Sequence, residues 1–220
     1  MAKAAKMNFK TPLAELAWIA IDGEGKLKYG MDGSNGAEDY IYTATAILNE
    51  EQAKATEKII KDFWKNNKPA GATKMSWDLV KPEMEPVLDA NGKEQLDEDG
   101  EVIKKPTGRY TMMAKTVTQW PDGKPNKIKV LRANGAPINL GDTKIGNGSI
   151  GVIHGQLGIS GTATNRGVSF YLNAIQLKKL VPYTGDEVEA DDLGEDEGLE
   201  AVEMDNVATA TPVQEEGPNI

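Results

Sequence analysis

The hydrophobic positions of this chain follow two periods. Ser149–Ser160 and Gly167–Tyr183 are both rich in Val, Ile, Leu, Phe and Tyr, and the turn-forming stretch GTATNRG separates them, which predicts a long β-hairpin. In its second arm Val168, Phe170, Leu172 and Ala174 alternate with Ser169, Tyr171 and Asn173, so one face is continuously apolar. Past Ala174 the parity changes, because Ile175, Leu177, Leu180 and Val181 no longer keep step. That predicts a bulge or bend of the kind a small barrel uses at its corners. Asp39–Leu48 also alternates, with Tyr40, Tyr42, Ala44, Ala46 and Leu48 on one face and Ile41, Thr43, Thr45 and Ile47 on the other, a strand that can be covered on both sides. Thr11–Ile21 predicts an earlier strand, with Leu13, Trp18, Ile19 and Ile21 as its apolar supply. Arg109–Trp120 predicts a third strand, and Lys127–Leu140 a fourth with a break at Asn134-Gly135.

The other period is helical. Ala53, Thr56, Ile60 and Phe63 recur every three or four residues after Asn49, a good N-cap, and after Glu50 and Glu51, which suit the positive end of a helix dipole. This predicts one helix, about Glu50 to Asn66, with Ile59, Ile60, Phe63 and Trp64 as its core stripe. Five or six antiparallel strands with one helix and long loops are the content of an OB-type barrel, although periodicity alone does not separate that from a β-sandwich.

Two loops stand out. Asp22–Gly36 holds Gly23, Gly25, Gly30, Gly33 and Gly36, but no Gly-Lys-Ser/Thr follows, so it reads as a mobile surface loop rather than a phosphate cradle. Residues 65–108, with Pro69, Pro82, Pro86 and Pro106 and turn pairs at Asn91-Gly92 and Asp99-Gly100, predict an irregular insertion or hairpin arm. The spacing of Asp89, Asn91, Asp97 and Asp99 does not fit a calcium loop, which leaves a solvated pair of turns.

Composition narrows the function. The chain has 220 residues, a length that suits one domain; no cysteine, which excludes disulfides and thiolate metal sites; and a single histidine, His154, too few for a His-based site. No metal or cofactor is called for. No run of eighteen apolar residues suggests a membrane span, and no secretory leader is expected. Charge changes the picture most. Of 34 acidic residues, 13 follow Thr184, where no Lys or Arg occurs, so residues 1–184 hold 25 basic against 21 acidic groups. The overall charge of −9 therefore conceals a mildly basic body of +4 and an acidic end of −13. Such asymmetry suits a protein that handles a polyanion and screens itself when empty. Residues 185–220, without an aromatic side chain, predict a disordered tail after a folded domain spanning 1–184.

Basic residues interleaved with aromatic ones on strands fit contact with single-stranded nucleic acid. The candidates are Lys115, Trp120, Lys127, Lys129 and Arg132, followed by Trp77, Arg109, Lys144 and Tyr171. Lys127 and Lys129 share one face of their strand, Ile128 and Val130 the other. A nuclease would need an ordered carboxylate pair with a basic partner, and most carboxylates here lie in the tail or in turns.

TPLAELAW, DYIYTATAIL with NEEQAKATEKIIKDFW, RYTMMAKT, IGNGSIGVIHGQ and RGVSFYLNAIQLKKLVPY, followed by an acidic tail, resemble in that order the OB-fold single-stranded-DNA-binding proteins of podovirus-type tailed bacteriophages. The resemblance spans most of residues 11–205. It implies a non-enzymatic protein of phage DNA replication, recombination and repair, acting in the cytoplasm of the infected bacterium. Such a protein coats and protects single-stranded DNA and recruits the phage DNA polymerase and helicase–primase through its tail. A tail can occupy a neighbour's groove as readily as its own, which would give a homodimer. Tails of this family commonly end in an aromatic residue, whereas this chain ends Glu-Glu-Gly-Pro-Asn-Ile. The alternative is a phage structural or decoration protein, which would gain little from a polyanionic extension.

Overall fold

The computed structural model of the chain describes residues 5–162 and 165–184. In chain order the elements are β1 (Lys6–Lys10), β2 (Ala14–Ala20), β3 (Lys26–Leu27), β4 (Tyr40–Leu48), α1 (Glu50–Asn67), β5 (Val80–Pro86), β6 (Lys104–Val117), β7 (Lys129–Leu131), β8 (Ser149–Gly161) and β9 (Arg166–Lys179). A short 3-10 turn, Gly36–Asp39, precedes β4.

Five strands close a barrel. β2 pairs with β4, β4 with β6, β6 with β9, β9 with β8, and β8 returns to β2. Numbered along the chain, the ring order is 1-2-3-5-4, the Greek-key closure of an OB barrel. The expected barrel, helix and hairpin are present, but the sheet has nine strands among the described residues, and the barrel is not antiparallel throughout. β6 meets β9 in parallel at Lys115 opposite Tyr171, and β7 also runs parallel to β9.

Alternation supplies the core. Leu16, Ala44, Ala46, Leu48, Met112, Ala114, Ile153, Leu157, Val168, Phe170 and Leu172 point inward and are buried. Phe170 is nearly inaccessible, and Phe9 from β1 meets it edge-on at 5.3 Å between ring centroids. Its burial alone is worth about 1.5–3 kcal/mol. α1 adds Ala53, Ile60, Phe63 and Trp64 to the same core. It begins in a capping box: the Asn49 side chain accepts from the Gln52 N–H, and the Gln52 side chain accepts from the Asn49 N–H. Ile59, placed in the core stripe by sequence, instead faces solvent.

The parity change in β9 has a structural cause. His154 lies opposite Ala174 and Gly155 opposite Leu172, so Asn173 is an extra residue, a bulge that bends the strand. The bend brings the two backbones so close that a Cβ on Gly155 would sit 2.0 Å from the Tyr171 carbonyl oxygen, and only glycine fits.

Several elements differ from the local pattern. β1, unpredicted within the basic start, pairs with β8, with Met7 and Phe9 packed inward and Lys6, Asn8 and Lys10 outward. The glycine-rich loop is not devoid of regular structure: β3 pairs with β4 there. Trp18 and Leu13, expected in the core, are 51% and 45% exposed. Within 65–108, β5 and β6 form an antiparallel arm whose turns are organised by Asp89 and Asp97. Each carboxylate accepts from backbone N–H groups two and four residues on, so these acids are satisfied turn residues. The tail, 185–220, expected to be disordered and to compete for the groove, lies outside the described residues. No helix among the described residues is long and apolar enough to cross a membrane.

Candidate nucleic-acid interface

Because Met112 and Ala114 fill the core, the alternate residues of β6, namely Arg109, Thr111, Met113, Lys115 and Val117, fall on its outer face. Across the ladder Thr45 faces Met113, Thr43 faces Lys115 and Ile41 faces Val117, while on the other side Lys115 meets Tyr171 of β9. Tyr171 pairs in turn with Gln156 of β8, and Lys6 of β1 holds its ammonium 6.0 Å from the Tyr171 ring centroid, within cation–π range.

Two clefts meet on this surface and share Met113, Lys115 and Tyr171. One, of about 620 Å³, runs between Trp18 and Trp77 over Thr45, with Lys81 and Lys115 at its rim. The other, of about 780 Å³, runs past Lys6, Lys26, Lys28, Tyr29 and Trp120. The pairing of β3 with the start of β4 carries the glycine-rich loop over to this side, and the Tyr29 ring there is fully exposed. Trp120 is about half exposed. Lys28 Nζ donates to the Glu38 carbonyl. None of the five lysines on the two clefts is in an ion pair with a described residue, and Asp78 is the one carboxylate lining either cleft among those residues. Unpaired ammonium groups beside exposed rings can take phosphates and bases together.

Trp77 is held as a wall. Its indole Nε1–H donates to the Val168 carbonyl at 2.9 Å, and the ring lies so flat on β9 that a Cβ on Gly167 would come within 2.5 Å of its Cε2. Ser76 adds two hydrogen bonds with Arg166, its N–H donating to the Arg166 carbonyl and its hydroxyl accepting from the Arg166 N–H.

The structure thus brings together four of the residues singled out by sequence: Lys115, Tyr171, Trp77 and Trp120. The others lie apart. Arg109 is on the outer face of β6 but is bound up with carboxylates, donating from Nε to Glu83 at 2.7 Å and from Nη1 to Glu15 at 3.1 Å. Burial pushes the Glu83 carboxyl up, yet the hydrogen bonds from Thr107 and Arg109 outweigh it and hold the group below its ordinary value; Glu83 in turn raises Arg109. Lys129 sits on β7, which pairs with β9 and not with β6, so Lys127, Lys129 and Arg132 line neither cleft. Their strand does alternate as expected, with Ile128 and Val130 packed against the core. Lys144 borders a separate cleft with Ile19, Ile21 and Asp22.

Sequence reasoning passed over Lys6, Trp18, Lys26, Lys28, Tyr29, Lys81 and Met113. The signal for three of them was the period-two string Lys-Leu-Lys-Tyr inside the glycine-rich loop. For Trp18 parity pointed the wrong way.

No protein-family model matches the chain, and no curated protein matches it. The fold recurs in solved structures. Gp2.5 of bacteriophage T7, a single-stranded DNA-binding protein, superposes with a TM-score of 0.50 at 17% identity over 90% of this chain and 100% of that one. A C-terminally truncated single-stranded DNA-binding protein from bacteriophage Enc34 gives 0.51 at 13% identity over 80% and 88%. The chain therefore has the OB fold found in these two phage single-stranded DNA-binding proteins.

Proposed function

We propose that the protein binds single-stranded DNA without sequence preference, as a coating protein and not as an enzyme. The observation that carries this reading is the meeting of the two clefts at Lys115 and Tyr171, with five lysines and the rings of Trp18, Trp77, Tyr29 and Trp120 along one continuous path. The path crosses the β4/β6 face, the second and third barrel strands, and the loop between the first and second, the surface on which OB folds take oligonucleotides. The lysines release counterions from phosphates, and each stacked base adds about 1–3 kcal/mol whatever its identity. A duplex keeps its base faces inside the stack, so the rings favour unpaired strands. Among the described residues Asp78 is the single carboxylate on the clefts, where a nuclease would use an ordered carboxylate pair. The two phage proteins of the same fold support the ligand class.

On this reading the acidic residues after Thr184 compete with DNA for the lysine path and are released when a strand binds. They then become available to replication proteins such as a polymerase or helicase–primase, or to a second copy of the chain. That role places the protein in phage DNA replication, recombination and repair within the host cytoplasm.

The test is anisotropy of a labelled oligo(dT) and of a duplex of equal length, titrated with the full chain and with a chain ending at Thr184. The full chain should bind the single strand in preference to the duplex. The shortened chain should bind more tightly at low salt, the two converging as salt rises. Equal affinity for both nucleic acids would contradict the binding reading, and equal affinity of both chains at low salt would contradict the competition.

A further inference from the structure

Trp18 is the one residue other than glycine with positive φ among the described residues, at 49°. A bulky side chain in the left-handed region costs on the order of 1–3 kcal/mol and persists only where its surroundings impose it. Here they do. Ala17 pairs with Thr45 and Ala20 with Thr43, leaving Trp18 and Ile19 as a bulge. Both backbone groups of Trp18 are pinned: its N–H donates to Asn147 Oδ1 at 2.8 Å, and its carbonyl accepts from the Thr43 hydroxyl at 3.3 Å. The result is an indole turned out of the barrel and half exposed at the mouth of the cleft opposite Trp77.

The floor of that cleft carries a second anomaly. Thr45 is 1% exposed, and its Oγ1 has no hydrogen-bond partner among the described residues. A buried hydroxyl left unpaired is costly and calls for an explanation. Its cross-strand neighbour is Met113, 41% exposed, unbranched and able to swing aside.

We propose that the cleft between Trp18 and Trp77 is a subsite for one nucleobase of the bound strand. Trp18 is the stacking platform, the Thr45 hydroxyl is the group that meets the base edge once Met113 moves, and Asn147 is the residue that positions Trp18. Asp78 on the lining disfavours a phosphate there and leaves the backbone to Lys81 and Lys115. The inference rests on the single-strand reading above and adds to it a contact with a base, as distinct from the backbone, at a named place.

The test compares oligo(dT) with an abasic sugar-phosphate oligomer of equal length, using the full chain and its Trp18→Ala, Trp18→Phe, Thr45→Val, Asn147→Ala and Asn147→Asp variants at one salt concentration. Wild type should prefer oligo(dT). Trp18→Ala should weaken oligo(dT) binding about tenfold and leave abasic binding unchanged, since one stacked base is worth about a factor of ten. Trp18→Phe should keep most of the affinity, and Thr45→Val should lose part of it for oligo(dT) only. Asn147→Ala should fall between, with Asn147→Asp, which keeps an acceptor oxygen, recovering the loss. If Trp18→Ala weakens both oligomers equally, or neither, the subsite is overturned while single-strand binding stands. If wild type binds neither oligomer, the single-strand reading itself fails, and the subsite with it.

Discussion

Lys115 of β6 lies directly beside Tyr171 of β9, in the single parallel pairing that closes the barrel. The contact that completes the fold therefore also joins the two clefts, and it sets a cation next to a ring. The two should fail differently. Lys115→Ala should weaken binding to all single-stranded sequences alike and lower the log–log salt slope by about 0.7, the share of one phosphate on a single strand. Tyr171→Leu should cost about 1–3 kcal/mol with the slope unchanged. Salt titrations of both variants check this.

Arg109 has the charge of a DNA contact and the partners of a structural one. Arg109→Ala should leave oligo(dT) affinity within about twofold while costing roughly 1 kcal/mol of stability, because the half-exposed Arg109 makes a bidentate pair with the largely covered Glu83. The pH dependence follows from Glu83, whose folded carboxyl is held below its ordinary value. Its contribution is present above the ordinary carboxylate range and is lost as pH falls through the depressed value. The stability gap between wild type and Glu83→Gln should thus be full at neutral pH and close on acidification. Urea denaturation at a series of pH values measures it.

The strain at Trp18 predicts an inversion of the usual order in strands. Glycine normally destabilises a strand relative to alanine, but at φ 49° it carries no steric cost. Trp18→Gly should be more stable than Trp18→Ala by about 1 kcal/mol, read from denaturant midpoints.

Gly167 supports Trp77 by having no side chain. Gly167→Ala should cost about 1–3 kcal/mol through overpacking and shift the tryptophan emission as the indole loses its bond to the Val168 carbonyl. Emission spectra and thermal melts of the variant test both effects.

What was legible in the sequence was local. α1 announces itself through Asn49, the following acids and a helical repeat, and the β8–β9 hairpin through two apolar-rich runs around a turn, the second alternating as far as Ala174. The bulge in β2 left no such trace: Leu16 and Trp18 share parity, and Trp18 turns outward only because the ladder slips between Ala17 and Ala20. β1 has just Met7 and Phe9 to bury, and its partner β8 lies far along the chain. Lys115 and Lys129 read as neighbours on adjacent strands, but β9 inserts between their strands, a long-range choice that alternation does not encode. Likewise the charge of Arg109 says nothing of Glu15 and Glu83, which the fold brings to it. The acids beyond Thr184 could be counted from the sequence, but their arrangement lies outside the described residues.

Trp18, Trp77 and Trp120 line the clefts, and the remaining tryptophan, Trp64, is buried on the core face of α1. Titrating intrinsic fluorescence with poly(dT), and with duplex of equal length, at two salt concentrations therefore reads the proposed interface directly. The account predicts strong quenching by poly(dT), weaker binding at the higher salt, and little response to duplex. Unchanged emission with poly(dT), or equal quenching by duplex, would contradict it.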